Sequence, residues 1–247
     1  MSVLILDKVT GGYSVKRPVL QDVSFQVEKG QMVALIGLNG AGKSTTMKHI
    51  LGILQAHQGT VRVGGVTLEE DAGKYRSTFA YVPETPILYD EMTVEEHLRF
   101  TAMAYGLDKG EAEPRMRELL DVFQMTPQKD KLPVQLSKGM KQKVMIMNAF
   151  LVRPKLYLID EPFLGLDPLG IRSLVQMLVQ VKEEGSSVLV SSHILPAIEP
   201  HCEQFVVLQQ GKVLVSGDLK DVQQKAGMPD AGLEDAFLSL VTEGRAI

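Results

Sequence analysis

The sequence is poor in the residues typical of secreted and membrane-spanning proteins. It has no tryptophan and one cysteine, Cys202, among 247 residues, so no disulfide can form within the chain. The longest apolar run, at 144–152, is far shorter than the ~20 residues of a spanning helix. The first residues lack a basic segment followed by a long apolar one. We therefore expect a cytoplasmic protein that does not cross a membrane, with Cys202 packed rather than nucleophilic.

The sequence also lacks an excess of basic residues, since its formal net charge is −4. A broad nucleic-acid surface requires clustered Lys and Arg, so nucleic acid is not an expected partner. Hydrophobic residues make up 45% of the chain, which is enough to fill the core of one large domain.

A glycine-rich segment at 36–50, IGLNGAGKSTTMKHI, follows an apolar stretch typical of a buried strand and leads into a predicted helix. It fits the pattern G-x-x-x-x-G-K-[ST]. Its glycines let backbone N–H groups surround a polyphosphate, while Lys43 suits the β- and γ-phosphates and Ser44 suits Mg²⁺. A turn without a ligand is the alternative, disfavoured because strand, spacing, Lys and Ser agree. The predicted ATP-binding residues here are Gly37, Leu38, Asn39, Gly40, Ala41, Gly42, Lys43, Ser44 and Thr45.

Two acidic residues, Asp160 and Glu161, end the apolar stretch LYLIDE. The carboxyl ends of parallel strands share one edge of a sheet, so these acids are expected beside the glycine-rich loop. Asp160 would then hold Mg²⁺, and Glu161 would accept a proton from, or orient, the water that attacks the γ-phosphate. A strand ending in an exposed acidic pair is the alternative.

The pattern of elements changes along the chain. Short apolar or alternating runs separated by turns predict a β-rich start, including a hairpin-like pair around Gly64 and Gly65. A Thr-x-x-Glu capping box opens a helical segment at about 93–128. Strands and helices then alternate, which predicts an α/β core with a parallel sheet.

The order of these motifs resembles that of the ATP-binding subunits of ABC transporters, over nearly the whole chain. Six elements carry the resemblance: Tyr13 as the aromatic that stacks on adenine, 37–44 as Walker A, LSKGM at 136–140 as the signature motif, Asp160 and Glu161 as Walker B, LGLD at 164–167 as the D-loop, and His193 as the switch histidine.

The resemblance implies a P-loop NTPase core with an N-terminal antiparallel β-subdomain and an inserted helical subdomain. Residues 1–247 would form one domain, with the helical subdomain at about 93–150 and a short helical tail at 219–247. It implies an ATPase that uses ATP and Mg²⁺, in which two chains close over two ATP molecules. Its partners would be separate membrane-spanning subunits, which place the chain at the cytoplasmic face of the membrane.

The resemblance also assigns residues whose types alone leave alternatives open. Ser137, Lys138 and Gly139 would bind the ATP of the opposite subunit, although a plain helix cap is the alternative for Ser137. His193 would act with Glu161 as a catalytic sensor of the γ-phosphate, or be an ordinary strand-end histidine. For Tyr13 the alternative to stacking on adenine is an ordinary aromatic residue in a turn. The resemblance also makes Asp167 the acid of the D-loop.

Two positions depart from the family's pattern. The signature has Lys138 and Met140 where a second Gly and a Gln are usual, and binding should survive because the Ser hydroxyl and backbone N–H groups do most of the work. In YVPE, Glu84 stands where the family has Gln. Glu84 keeps an oxygen for Mg²⁺ or water but loses an amide donor.

The signature and the tail LEDAFLSL are similar to those of bacterial exporters, including Ecs-type transporters. The alternative is a soluble ABC-type ATPase acting on DNA or ribosomes. Such a protein would be expected to carry a long coiled-coil insertion or a tandem second ATPase domain, together with basic surfaces, and we expect none of these in this sequence. A P-loop kinase is disfavoured by the signature and by His193. The resemblance implies that four apolar residues after Glu84 line a groove for a short cytoplasmic helix of the membrane subunit: Ile87, Leu88, Tyr89 and Met92. The alternative is that they belong to the ordinary core.

Overall fold

Two sheets organise residues 1–243, the part of the chain that the computed structural model describes. Residues 244–247 of the predicted domain and tail lie outside this part. The strands are β1 (Ser2–Gly11), β2 (Leu20–Glu28), β3 (Met32–Ile36), β4 (Ala56–Val63), β5 (Phe79–Val82), β6 (Leu156–Asp160), β7 (Ser187–Ser191), β8 (Gln204–Gln209) and β9 (Lys212–Gly217).

The first sheet has the order β2-β1-β4 and is antiparallel. Inward and outward residues alternate along β2, with Val23, Phe25 and Val27 buried, as expected of a sheet with one wet face. This sheet is the predicted β-subdomain. The hairpin predicted around Gly64 and Gly65 was only partly correct, because the chain turns there but makes a single bridge from Val63 to Val66.

The second sheet has the order β5-β6-β7-β3-β8-β9, with β9 antiparallel and the other pairs parallel. Every residue of β3, β6 and β7 is buried, which explains why these strands read as continuous apolar runs. Ser191 at the end of β7 lies beside Leu35 of β3 and Asp160 of β6. The segments that follow these strands therefore meet at one edge.

Helices cover this sheet, and three of them form the predicted helical insertion. Thr93 and Glu96 make the expected capping box at its start, and the helices Val94–Ala104, Lys109–Val122 and Lys138–Val152 pack together around Leu98, Met116 and Phe150. The helices are α1 (Lys43–Ile50), α2 (Ala72–Ser77), α3 (Val94–Ala104), α4 (Lys109–Val122), α5 (Lys138–Val152), α6 (Pro168–Glu183), α7 (Leu195–Ile198), α8 (Leu219–Lys225) and α9 (Leu233–Glu243).

The last helix described, α9, is held at both ends by partly buried polar side chains. A carboxylate oxygen of Glu199 accepts a hydrogen bond from the N–H of Leu233 at 3.2 Å. The amide of Gln209 donates to the carbonyl oxygen of Val241 at 2.9 Å. This helix therefore packs beside the end of β8. None of the helices within residues 1–243 has the length and apolar content needed to span a bilayer.

Candidate functional site

A cavity of about 610 Å³ opens at the carboxyl edge of the parallel strands. The predicted loop residues from Leu38 to Thr45 line it, together with Tyr13, Glu84, Glu161 and His193. Segments far apart in sequence are therefore brought to one site. The lining residues that sequence reasoning missed are Val19 and Leu164, of which Leu164 belongs to LGLD but has no polar atom to signal a role.

The glycine-rich loop runs from the end of β3 directly into α1. Gly42, the residue before the helix, has φ of 113°, and a Cβ there would lie 2.8 Å from the side chain of Leu20. Only glycine tolerates this backbone and this approach. Lys43, Ser44 and Thr45 line the cavity, so the positive end of α1 lies at it.

Lys43 is buried and held by two oxygen atoms. Its Nζ donates to the carbonyl oxygen of Gly37 at 2.9 Å and lies 3.4 Å from Oε1 of Glu161. The ammonium group therefore stays inside the loop, and it compensates the buried carboxylate of Glu161.

Glu161 and His193, the two predicted catalytic residues, are in contact. Oε2 of Glu161 accepts from the backbone N–H of His193 at 3.2 Å and from its Nδ1 at 2.7 Å. Glu161 has a φ of 46°, outside the usual range for a non-glycine residue. The turn is fixed because the Glu161 N–H donates to the hydroxyl and carbonyl oxygens of Ser191, both at 3.1 Å.

Asp160 is buried at the end of β6, beside hydroxyl groups. The hydroxyl of Ser191 donates to its Oδ1 at 2.5 Å. Burial raises the pKa of Asp160, while hydrogen bonds from Ser191 and Ser44 oppose the rise. The carboxylate and the Ser44 hydroxyl form a set of oxygen donors of the kind that Mg²⁺ prefers.

Tyr13 stands at the cavity with 65% of its surface exposed. Its hydroxyl accepts a hydrogen bond from Nζ of Lys48 at 2.9 Å, and this contact lowers the pKa of Tyr13. Lys48 was not among the predicted site residues, although its place four residues after Ser44 put it on the same helix. Glu84 lines the cavity as an exposed side chain.

The predicted signature residues lie elsewhere. Ser137 caps α5 by accepting from the N–H of Met140 at 3.2 Å, and Ser137, Lys138 and Gly139 are not among the described residues that line the cavity. A Cβ on Gly139 would meet the carbonyl oxygen of Gly165 at 2.2 Å. The signature segment is thus in direct contact with LGLD.

Asp167, the last residue of LGLD, makes a second contact between LGLD and the helix of the signature segment. Its Oδ1 accepts from the N–H of Gly170 at 2.6 Å and its Oδ2 lies 3.2 Å from Nζ of the buried Lys143. The hydrogen bond from Gly170, followed by the Lys143 contact, lowers the pKa of Asp167. Because Lys143 belongs to α5, this ion pair connects the signature helix to the start of α6.

A glycine-rich loop before a helix, a buried lysine and two carboxylates at the end of β6 define a P-loop nucleotide-binding protein. The sequence profile of the ABC transporter family matches residues 20–164, and the chain belongs to this family. Membership confirms the predicted fold class and the prediction of an ATP-binding, ATP-hydrolysing subunit.

Individual ATP-binding proteins of ABC transporters are also similar to this chain. The chain is 51% identical over 243 residues to the ABC-type transporter ATP-binding protein EcsA of Bacillus subtilis (strain 168), covering 98% of each chain. It is 32% identical to the linearmycin resistance ATP-binding protein LnrL of the same organism, over 90% of this chain and 74% of that one. A solved ATP-binding subunit of an ABC transporter superposes with a TM-score of 0.93 at 48% identity, covering 97% of this chain and 99% of the other.

Proposed function

We propose that this chain is the ATPase of an ABC exporter, in which two copies close over two ATP molecules at the cytoplasmic face of the membrane. Separate membrane-spanning subunits would carry the substrate. The observation that supports this most directly is the placement of Glu161 between Lys43 and His193 in the cavity of the glycine-rich loop.

In this proposal Lys43 changes partner when ATP binds. The ammonium group of Lys43 lies 3.4 Å from Oε1 of Glu161 and compensates its carboxylate. The β- and γ-phosphates carry more negative charge and attract Lys43, aided by the N–H groups at the start of α1. Glu161 is then left as a carboxylate that can orient water and accept its proton, while His193 holds it in place.

The residues present fit a magnesium ion. Asp160 is a buried carboxylate whose partners are hydroxyl groups, and such a group is suited to an incoming cation. We assign Ser44 and Asp160 to hold the ion, with Glu84 as a further oxygen at the cavity wall. When bound, Mg²⁺ would neutralise charge that develops on the phosphates. Ser191 orients Asp160 for this role.

The location of the signature segment supports a composite site. Ser137, Lys138 and Gly139 present a capped helix start, but away from the cavity formed by the same chain. A second copy is therefore needed to bring such a segment against the nucleotide. Contact between Gly139 and Gly165 would make the signature and the D-loop move as one unit.

The surface beyond Glu84 supports a membrane partner. Ile87 is 77% exposed and Tyr89 is 57% exposed, and the Tyr89 ring contacts Phe100 with centroids 5.6 Å apart. Leu88 is partly buried against the core, so Ile87 and Tyr89 form the accessible part of the predicted groove. The inserted helices at about 93–150 would receive a cytoplasmic segment of the spanning subunit.

The direction of transport rests on similarity. LnrL, by its name, serves linearmycin resistance, and EcsA is similar over almost the full chain. We extend this to an export function here, with residues 1–247 acting as one ATPase domain.

Two measurements test the proposal. The chain, expressed with its genomic neighbours and purified from detergent-solubilised membranes, should retain a polytopic membrane protein and hydrolyse ATP. Inside-out vesicles containing this complex should accumulate substrate only with ATP. Co-purification with nucleic acid or ribosomes instead would favour the alternative class, and accumulation in right-side-out vesicles would contradict export.

A further inference from the structure

We propose that Lys48 is a positioning residue for nucleotide-base recognition: its ammonium group holds the ring of Tyr13 at the mouth of the cavity and ties it to the phosphate-binding helix. The inference rests on the proposed function and on the stacking of Tyr13 on adenine that the family resemblance implies. It adds a residue that takes no part in the phosphate chemistry.

The geometry of this pair is specific. Nζ of Lys48 donates to the Tyr13 hydroxyl at 2.9 Å and lies 5.2 Å from the centroid of the ring. A hydrogen bond from a charged donor is about twice as strong as one between neutral groups. Lys48 is not among the described residues that line the cavity, whereas Tyr13 is. Its influence on a nucleotide is therefore expected to pass through the tyrosine.

Tyr13 is held through its hydroxyl, on which Lys48 acts more strongly than Thr45. The ring is largely exposed, and it follows Gly12, which has a φ of 153°. A mobile ring loses conformational freedom when a base stacks on it, and this loss weakens binding. By holding the hydroxyl, Lys48 orders the ring in advance.

The same contact links two parts of the ligand. Lys48 and Lys43 both belong to α1, whose first turn faces the cavity. The position of the base platform is thus fixed relative to the helix that receives the phosphates. The chain should consequently favour ligands in which base and polyphosphate have the spacing found in a nucleoside triphosphate.

Calorimetry on the full chain with ATP and with inorganic tripolyphosphate separates this role from direct phosphate binding. We expect Lys48→Met to weaken ATP binding about three- to tenfold, the effect of losing one hydrogen bond, and to leave tripolyphosphate binding unchanged. Lys48→Arg should restore most of the ATP affinity. Lys74→Met, a change at an exposed lysine of α2, is the matched control and should alter neither.

A double-mutant cycle tests whether the effect passes through the hydroxyl. Tyr13→Phe keeps the ring and removes the hydroxyl, so Lys48→Met should have no further effect on ATP binding in that background. Additive effects would overturn the inference, as would an equal loss of tripolyphosphate affinity or an unchanged affinity for ATP. If the unsubstituted chain bound neither ligand, the proposed function itself would fail.

An optical titration gives a second readout of the contact in variants that keep the fold. Because Lys48 lowers the pKa of Tyr13, the phenolate absorbance that Tyr13→Phe removes should move to higher pH in Lys48→Met. If this Tyr13 absorbance appeared at the same pH in Lys48→Met as in the unsubstituted chain, the inference would be contradicted. Thermal unfolding of each variant identifies any that lose the fold, and Lys48→Arg then carries the comparison.

Discussion

The Nδ1 atom of His193 donates a hydrogen bond to Oε2 of Glu161 over 2.7 Å. A carboxylate can only accept, so this contact places the imidazole proton on Nδ1 and leaves Nε2 for a ligand. The two residues therefore behave as a unit, and a change at Glu161 alters the orientation of His193 as well.

Replacing Glu161 by Gln should separate binding from hydrolysis. The amide can still occupy the space beside Lys43 and His193, but it cannot accept a proton from water. We expect ATP turnover to fall about 10²- to 10⁴-fold, with ATP binding retained and a dimer accumulating in its presence. Phosphate release and size-exclusion chromatography with Mg-ATP measure these effects. Glu183→Gln is a surface control, and turnover at the unsubstituted rate in Glu161→Gln would refute the assignment of the base.

Lys43→Ala should reduce both ATP binding and stability. Loss of the ammonium group removes the buried cation that faces the phosphates, so ATP affinity should fall about ten- to hundredfold. Glu161 also loses a partner, which should lower the free energy of unfolding by about 1–3 kcal/mol. Calorimetry and urea unfolding report the two effects. ATP affinity equal to that of the unsubstituted chain would show that Lys43 does not bind the phosphates.

Gly139→Ala should uncouple the signature segment from the D-loop. The new Cβ would lie 2.2 Å from the carbonyl oxygen of Gly165, so the two segments must move apart. We expect a loss of about 1–3 kcal/mol in stability and a large fall in dimer-dependent ATPase activity. Binding of ATP to the single chain should persist, because Gly139 does not line the cavity.

Gly232→Ala provides the comparison for this substitution. A Cβ at Gly232 meets no atom within 4 Å. This variant should match the unsubstituted chain in stability and activity. Normal ATPase activity in Gly139→Ala would mean that the contact with Gly165 has no catalytic role.

Ile87→Asp should weaken assembly and leave the ATPase site intact. Ile87 is exposed, so a charge there does not enter the core, whereas Leu88→Asp would also disturb packing. We expect about a tenfold weaker association with the membrane subunit and loss of transport, with ATP binding unchanged. Co-purification and vesicle transport measure this. Assembly and transport at normal levels in Ile87→Asp would move the partner surface elsewhere.

The sequence was sufficient to predict most of the residues that line the cavity, though not Val19 and Leu164, and not its finer contacts. Walker A and Glu161 were predictable because parallel strands end at one edge whatever the intervening chain does. The contact between Gly139 and Gly165 was not, since it depends on how α5 packs against a loop 26 residues later. The positive φ of Glu161 likewise arises from hydrogen bonds with Ser191, on a different strand.

Short or singly paired elements were also missed. Periodicity carries little information over the four residues of α7 (Leu195–Ile198), and the hairpin predicted around Gly64 and Gly65 is reduced to one bridge. Lys48 had no motif to mark it, because its role depends on a loop that returns from residue 13.

The position of β3 has a consequence for synthesis of the chain. The strand that leads into the glycine-rich loop pairs on one side with β7 and on the other with β8, whose residues are made more than 150 positions later. Because both of these partner strands are made late, we expect the loop to become fixed, and ATP binding to begin, only after most of the chain has left the ribosome. Ribosome-bound chains halted before residue 187 should not be retained by immobilised ATP, whereas chains with 1–247 fully emerged should be.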